Sequence, residues 1–466
     1  MTSSEHSGPE TADVVVCVDF GSTFTKAVAV ELPSGRVLAA ANHPTTIATD
    51  VLDGYDACLA AMAASDPRVR GAEVLACSSA GGGLRIAVVG NEELVTAEAG
   101  RRVALSSGGK VVGVFSGGLS RQSFAELCAC APDVVLLVGG TDGGNAEVLE
   151  ADADFLAAQR WAGPVVVAGN VESQSYVRSA LEGSGTPCVL ADNVVPRIGV
   201  LAPDGARRAI REMFLTHVIG GKHLSSRADF AQMVAGATPD IVLTGVELLA
   251  RGLDAAHRGA GDVVVVDVGG ATTDVHSVVE LDPEDAGLSR EVVATTPLTR
   301  TVEGDLGMRF SAVSTIEAVG REDLREAAQR RGEDPGYLPE SVAEREIDEQ
   351  IAAAAVLTAL QRHAGRSKVV LSPEGRVVER TGKDLREVDL LVGSGGVLRA
   401  AADESVAVRT VLSGAIGEHP GGWQLPRAPR VVVDTGYVLA AAGLLAQRHP
   451  LAAHRLVATL NVGAEQ

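Results

Sequence analysis

The stretch "VVVCVDFGSTFTKAVAVEL", residues 14–32, opens as an apolar run, stops on Asp19, and turns apolar again after a short polar interval. Behind the aspartate stand Gly21, Ser22, Thr23, Thr25 and Lys26. The same logic returns in "GDVVVVDVGGATTDVHSVV", residues 261–279. Aligning Asp19 with Asp267 sets VDFGSTFTK against VDVGGATTD, an offset of 248 residues. A unit repeated once at that distance is a duplicated strand–turn–strand, which excludes solenoids and propellers built on short periods.

Two such turns suit a nucleotide's phosphates. Glycines (Gly21, Gly269, Gly270) let backbone N–H groups approach the oxygens closely, and hydroxyls (Ser22, Thr23, Thr273) add donors. Asp19 and Asp267, one from each copy, are expected to face each other across a cleft and hold Mg²⁺ largely through its waters. Lys26 is placed to meet a terminal phosphate as a point charge, and Thr272 to sit near the γ-phosphate. A third element, Gly393-Ser394-Gly395-Gly396 after "DLLV", reads as a glycine turn between a strand and a helix, with room for a base and ribose. Each piece alone is more often a hairpin turn or a helix cap. Their order and duplication select the nucleotide reading.

Around these motifs the chain alternates strands and helices. Val28–Leu32 and Arg36–Ala40 flank a Pro-Ser-Gly turn and read as a hairpin. The runs "VVLLVGG" (134–140), "VVVAGN" (165–170) and "PCVLADN" (187–193), separated by helical patterns, imply βαβ units and a parallel sheet. "RGLDAAHRGAG" (251–261) looks like a crossing between two lobes. Residues 321–364 are charged and Ala-rich, hence helical with a break at Pro335-Gly336. No G-x-x-x-x-G-K-[ST] occurs, since Val111 follows Gly109-Lys110 and His223 follows Gly221-Lys222, so a P-loop is excluded.

With 46% hydrophobic and 21% charged residues the chain has material for real cores. Aromatics are 3%, so those cores rest on Val, Leu and Ala, as in buried α/β sheets. A formal net charge of −20 argues against a nucleic-acid partner. The six cysteines form no zinc-like spacing. Residues 1–12 are polar and read as a disordered tail, not a signal peptide. No apolar run is long enough to span a bilayer, so no membrane association and a cytoplasmic location are expected.

The three motifs resemble the phosphate-1, phosphate-2 and adenosine segments of the actin/Hsp70/sugar-kinase ATPases. "TGVELLARG" (244–252) and "DTGYVLAAAGLLA" are similar to that superfamily's two connecting helices. "VEGDLGMR" (302–309) is similar to the glycine-acid loop that Hsp70-like proteins place near the adenosine. The resemblance implies an α/β, two-lobed fold of duplicated ribonuclease-H-like domains, with extra βαβ material in the first lobe at about 130–255. The first lobe is then 13–255, and the second 256–466, with a C-terminal helix returning toward the first. Ala271 stands where Hsp70-like proteins carry a third glycine and is counted among the nucleotide-contacting positions.

More closely, "DFGSTFTKAVAV", "VVLLVGGTDGGN", "DNVVPRIGVL", "IREMFLTHVIGGKHL", "VVVVDVGGATTDVHSV", "TRTVEGDLGMR" and "VGSGGVLR" resemble the MutL/GlmL family, which shares only a name with the DNA mismatch repair protein. That resemblance implies a slow accessory ATPase using ATP and Mg²⁺. Its partners would be the subunits of an adenosylcobalamin-dependent glutamate or amino mutase, reactivated by release of damaged cobalamin. Homodimer formation stays open. The alternatives are a small-molecule kinase, for which Asp142 or Asp192 would have to serve as base, and an actin-like filament protein.

Overall fold

A computed structural model describes residues 14–227, 229–280, 296–334, 336–372, 375–401 and 403–461. The tail at 1–12 lies outside them, as does Pro335 of the expected helix break.

Strands β1 (Val14–Phe20) and β2 (Phe24–Glu31) form an antiparallel hairpin, and β3 (Val37–Pro44) pairs on the far side of β2. Every residue of β1 is buried, which is why its sequence is a nearly unbroken apolar run and not an alternation. Strand β4 (Glu73–Ser78) lies parallel to β1. The chain then leaves this sheet. β5 (Leu84–Gly90), β6 (Gly109–Ser116), β7 (Val134–Leu137), β8 (Val165–Val167) and β9 (Cys188–Leu190) form a separate, all-parallel sheet in the order β6-β5-β7-β8-β9. Both its faces are covered. Ile86, Val88 and Leu136 enter one core while Ala87, Val89 and Leu137 enter another. Strand β10 (Val234–Ala237) returns beside β4 and completes the first sheet as β10-β4-β1-β2-β3.

The second half repeats the plan. β11 (Val263–Val268), β12 (Thr273–Val278) and β13 (Leu298–Glu303) form an antiparallel meander. A hairpin of β14 (Arg366–Ser372) and β15 (Gly375–Thr381) follows the long helix Val342–His363. β16 (Leu390–Gly395) lies parallel to β11, and β17 (Arg430–Val433) parallel to β16. The order β17-β16-β11-β12-β13 matches the first sheet strand for strand. This is the two-lobed, actin-like α/β fold of duplicated ribonuclease-H-like sheets, with an additional parallel sheet in the first half.

After the fifth strand of each sheet comes a helix, Thr238–Arg251 in the first half and Val438–Leu445 in the second. They cross in direct backbone contact. A Cβ on Gly245 would stand 2.1 Å from the Leu439 carbonyl oxygen, and one on Gly443 would stand 2.0 Å from that of Ile241. Around this crossing Val15, Cys17 and Val28 share one core with Val263, Val265 and Val392.

Two expectations need correction. The additional sheet starts at Leu84, well before residue 130, because β5 and β6 belong to it. The run Gly393-Ser394-Gly395 is not a turn but the end of β16. Leu412, at the end of the helical segment Val408–Leu412, occupies the space of a Gly393 side chain and the Val268 carbonyl that of Gly395 (φ 116°), so one glycine admits a helix and the other the neighbouring strand.

Candidate functional site

The two hairpin turns are built alike. The Gly21 N–H donates to the Phe24 carbonyl at 3.2 Å, and the Gly269 N–H to the Thr272 carbonyl at 2.9 Å. In both, a Cβ on the glycine would collide with that carbonyl, at 2.6 and 2.9 Å. The turns also meet. The position of a Cβ on Gly270 lies 3.8 Å from Thr23 Oγ1. Ser22 and Thr23 are exposed, and Ser22 Oγ donates to the Ser79 carbonyl at 3.1 Å.

The second turn is held from behind by the segment at 302–311. The backbone N–H groups of Met308 and Arg309 donate to the carbonyls of Gly269 and Gly270 at 3.0 and 2.7 Å, and Ser311 Oγ donates to that of Ala271 at 2.7 Å. Three successive carbonyls are thereby tied on one side. Arg309 reaches on to Asp348, a buried carboxylate that Arg331 also grips. Thr273 is fully buried, with no hydrogen-bond partner for its hydroxyl among the described residues, so it does not present a donor at the surface of the turn. Its counterpart Thr25 is equally buried.

The carboxylates share one electrostatic neighbourhood. Asp19 is 8% exposed. It accepts from Thr238 Oγ1 at 2.6 Å and pairs with Lys26, its cross-strand neighbour, at 3.5 Å. Burial alone would lower the Lys26 pKa, yet Asp19, Tyr437 and Asp267 hold it above the usual lysine value. Burial pushes the Asp267 carboxyl up, against the opposing effects of Lys26 and of a hydrogen bond from Ser394. Ser394 is the register partner of Asp267 on β16. A Cβ on Gly396, beyond that strand, would meet nothing within 4 Å. Thr272 does not stand free: its hydroxyl donates to Asp274 at 3.2 Å.

Several members of this neighbourhood lie outside the two turns and the glycine run. Thr238 stands at the start of the first crossing helix. Asp434 is 1% exposed and accepts the Val438 and Leu439 N–H groups at 2.9 and 3.2 Å, capping the second crossing helix. Burial raises its pKa. Tyr437, in the left-handed backbone region at φ 53°, places its ring 4.0 Å from Lys26 Nζ and 3.7 Å from Arg399 Cζ. Asp142 holds a turn of the additional sheet, accepting from Asn193 Nδ2 and the Val171 N–H. Asp192 is exposed and faces Arg208 at 3.6 Å.

Asp19 and Asp267 are two oxygen donors acting on the same lysine, a donor set whose chemistry suits a hydrated divalent cation. Among the described residues no group of three or more His, Cys, Asp or Glu converges as a metal cage, so a cation held here would keep most of its water. Among the described residues no helix is long and apolar enough to cross a membrane.

Comparison with known proteins gives a consistent assignment. The family model described as MutL protein matches residues 15–460. Protein MutL of Clostridium tetanomorphum is 34% identical over 461 residues, covering 96% of this chain and 98% of that protein. Among solved structures, the ethanolamine utilization protein EutJ from Carboxydothermus hydrogenoformans is 11% identical with a TM-score of 0.28, covering 96% of this chain and 92% of its own. A carbohydrate kinase from Novosphingobium aromaticivorans is 14% identical with a TM-score of 0.29, covering 97% and 99%. At these scores the fold rests on the strand order described above and not on the neighbours. The family match and the relative both span nearly the whole sequence, and the chain belongs to the MutL family.

Proposed function

We propose that this protein binds and slowly hydrolyses ATP between its two halves, and that the resulting motion serves an adenosylcobalamin-dependent mutase as its client. One observation carries the nucleotide reading: two identically built hairpin turns meet at Thr23 and Gly270, with Asp19 and Asp267 both acting on Lys26. Gly21, Ser22, Thr23, Gly269, Gly270 and Ala271 would wrap the phosphates, and Lys26 would exchange part of its pairing with Asp19 for the terminal phosphate. Asp19 and Asp267 would hold Mg²⁺, which supplies charge neutralisation on the phosphate oxygens. Thr272, oriented by Asp274, would position the attacking water; the water's oxygen bonds to the γ-phosphorus as the bridge to the β-phosphate breaks. Gly396, with the end of β16 at Gly393, Ser394 and Gly395, would border the nucleoside.

Membership of the MutL family supports the client: a glutamate mutase or a related aminomutase, from which the protein would release damaged cobalamin. The test pairs two assays. With Mg²⁺ and ATP the purified protein should release phosphate slowly, and Asp19→Ala or Asp267→Ala should abolish this. Added to a mutase inactivated by turnover, together with ATP and fresh adenosylcobalamin, it should restore activity. A small-molecule phosphate acceptor turned over at ordinary kinase rates would sink the reading.

A further inference from the structure

The additional parallel sheet touches both hairpins through one short turn. Arg300, on β13 and 4% exposed, donates from Nε and Nη2 to Asp274 Oδ1 at 3.0 and 2.5 Å. Its remaining Nη1 donates to the carbonyls of Leu105 and Gly109 at 3.1 and 3.2 Å. Those carbonyls bracket the turn between the helix Glu98–Ser106 and β6, at the helix end where a cation is favoured. Asp274 is the register partner of Asp267 and accepts from Thr272 on its other oxygen. An unbroken line of hydrogen bonds thus runs from Thr272 through Asp274 and Arg300 into the additional sheet.

The first hairpin reaches the same turn from the opposite side. Thr238, which donates to Asp19, is followed two residues on by Asp240, 2% exposed. Asp240 accepts from Arg211 at 2.6 Å and from Arg207 at 3.5 Å, both on the helix Asp204–Met213 that follows β9. Gly108 (φ 80°) abuts it, with a Cβ position 2.8 Å from the Asp240 nitrogen.

We propose that Arg300 is a positioning residue: through Asp274 it sets Thr272 and the second hairpin, and through Leu105 and Gly109 it makes the additional sheet follow the state of that hairpin. The physical reason is the cost of a buried guanidinium losing acceptors. A displacement of the second hairpin strands either the Asp274 bonds or the two carbonyl bonds unless the turn at 105–109 moves as well. Because Gly108 is seated on Asp240, that turn registers the separation of the two halves and not the position of one alone.

This rests on the ATP reading, and the test separates the two. ATP binding is measured by calorimetry, hydrolysis by phosphate release, and the additional sheet by amide hydrogen exchange over residues 105–116, each with and without Mg²⁺ and ATP. In the parent protein ATP should slow exchange over 105–116. In Arg300→Lys, which keeps the charge but not the fork, KM should stay within about threefold while kcat falls about tenfold, and the ATP-dependent protection should vanish. Asp274→Asn should give the same split, which covers the case of an Arg300 variant that folds poorly. If Arg300→Lys retains parental kcat and parental ATP-dependent protection, or if the parent binds ATP without any change over 105–116, the coupling is wrong and the ATP reading stands. Failure of the parent to bind ATP overturns both.

Discussion

At equivalent places in the two hairpins stand Lys26 and Asp274, each directly across the strands from the carboxylate of its own turn. The first hairpin is therefore balanced internally, Asp19 against Lys26. The second sets Asp267 against another carboxylate and draws both counter-charges from outside the hairpin, Lys26 acting on Asp267 and Arg300 pairing with Asp274. Further along the same strands the contrast continues. Val28 and Ala29 of β2 are plain core residues, whereas their counterparts His276 and Ser277 bring polar groups into the second core. There Ser277 Oγ meets His363 Nε2 at 2.8 Å and Lys383 Nζ at 3.2 Å. One backbone plan thus supports two electrostatic designs, and the one that borrows its charge is the one wired to the additional sheet.

That contrast is open to direct attack. The largest effect is expected where the halves should be equal: Asp19→Asn and Asp267→Asn should each lower kcat for ATP hydrolysis by about a hundredfold or more. Loss in only one of them would mean that the site is not shared. Next come the crossing helices. Glycine to alanine inside a helix ordinarily stabilises by about 1 kcal/mol. Here Gly245→Ala and Gly443→Ala should each destabilise by about 1–3 kcal/mol in chemical denaturation, because each methyl would enter a backbone carbonyl's space. Lys26→Met should weaken ATP binding about tenfold, leaving the ATP-dependent protection of residues 105–116 in place, as befits a hairpin balanced internally.

The smallest effect concerns pH. Burial brings Lys383 down to about 7, with Asp262 and Glu280 opposing and Arg102 reinforcing that shift. Its other neighbours are Ser277, the Pro297 carbonyl at 2.8 Å, and through Ser277 the neutral His363. A lysine neutral in the folded state and charged in the unfolded one leaves the unfolded chain with more protons above pH 7. Stability should therefore rise with pH, by about 1 kcal/mol between pH 7 and pH 8. Lys383→Met should flatten that rise, as thermal denaturation across the interval would show.

The duplication was legible because it is local: a carboxylate ending a buried strand, a glycine two residues on, and the same order again 248 residues later. The hairpin at 28–40 and the strands at 134, 165 and 187 were legible for the same reason, whereas the two crossing helices were expected from the superfamily resemblance of "TGVELLARG" and "DTGYVLAAAGLLA". What escaped depends on closure of the chain in space. Arg300 lies in "TRTVEGDLGMR", where no neighbour in sequence marks it for burial, and the carbonyls of the turn at 105–109 that receive it come from a distant part of the chain. Thr238 and Tyr437 acquire their partners from strands hundreds of residues away. The glycines of β16 look like a turn in sequence and are strand residues because Leu412 and Val268 approach from outside it. β5 and β6 are short, glycine-bounded runs whose period alone does not separate them from a hairpin.

The core around the helix crossing joins the two ends of the chain, since Val15, Cys17 and Val28 share it with Ala453, Leu456 and Leu460. During synthesis the first strands are made early, but the face they turn toward that core stays wet until more than four hundred further residues have left the ribosome. The helix Val438–Leu445, eight residues long and interrupted by Gly443, is too short to stand alone. It forms on arrival, against surface that has been waiting for it. Completion of this shared core is therefore a late event, and a chain stopped before the second crossing helix would leave the first half with an apolar face open to aggregation.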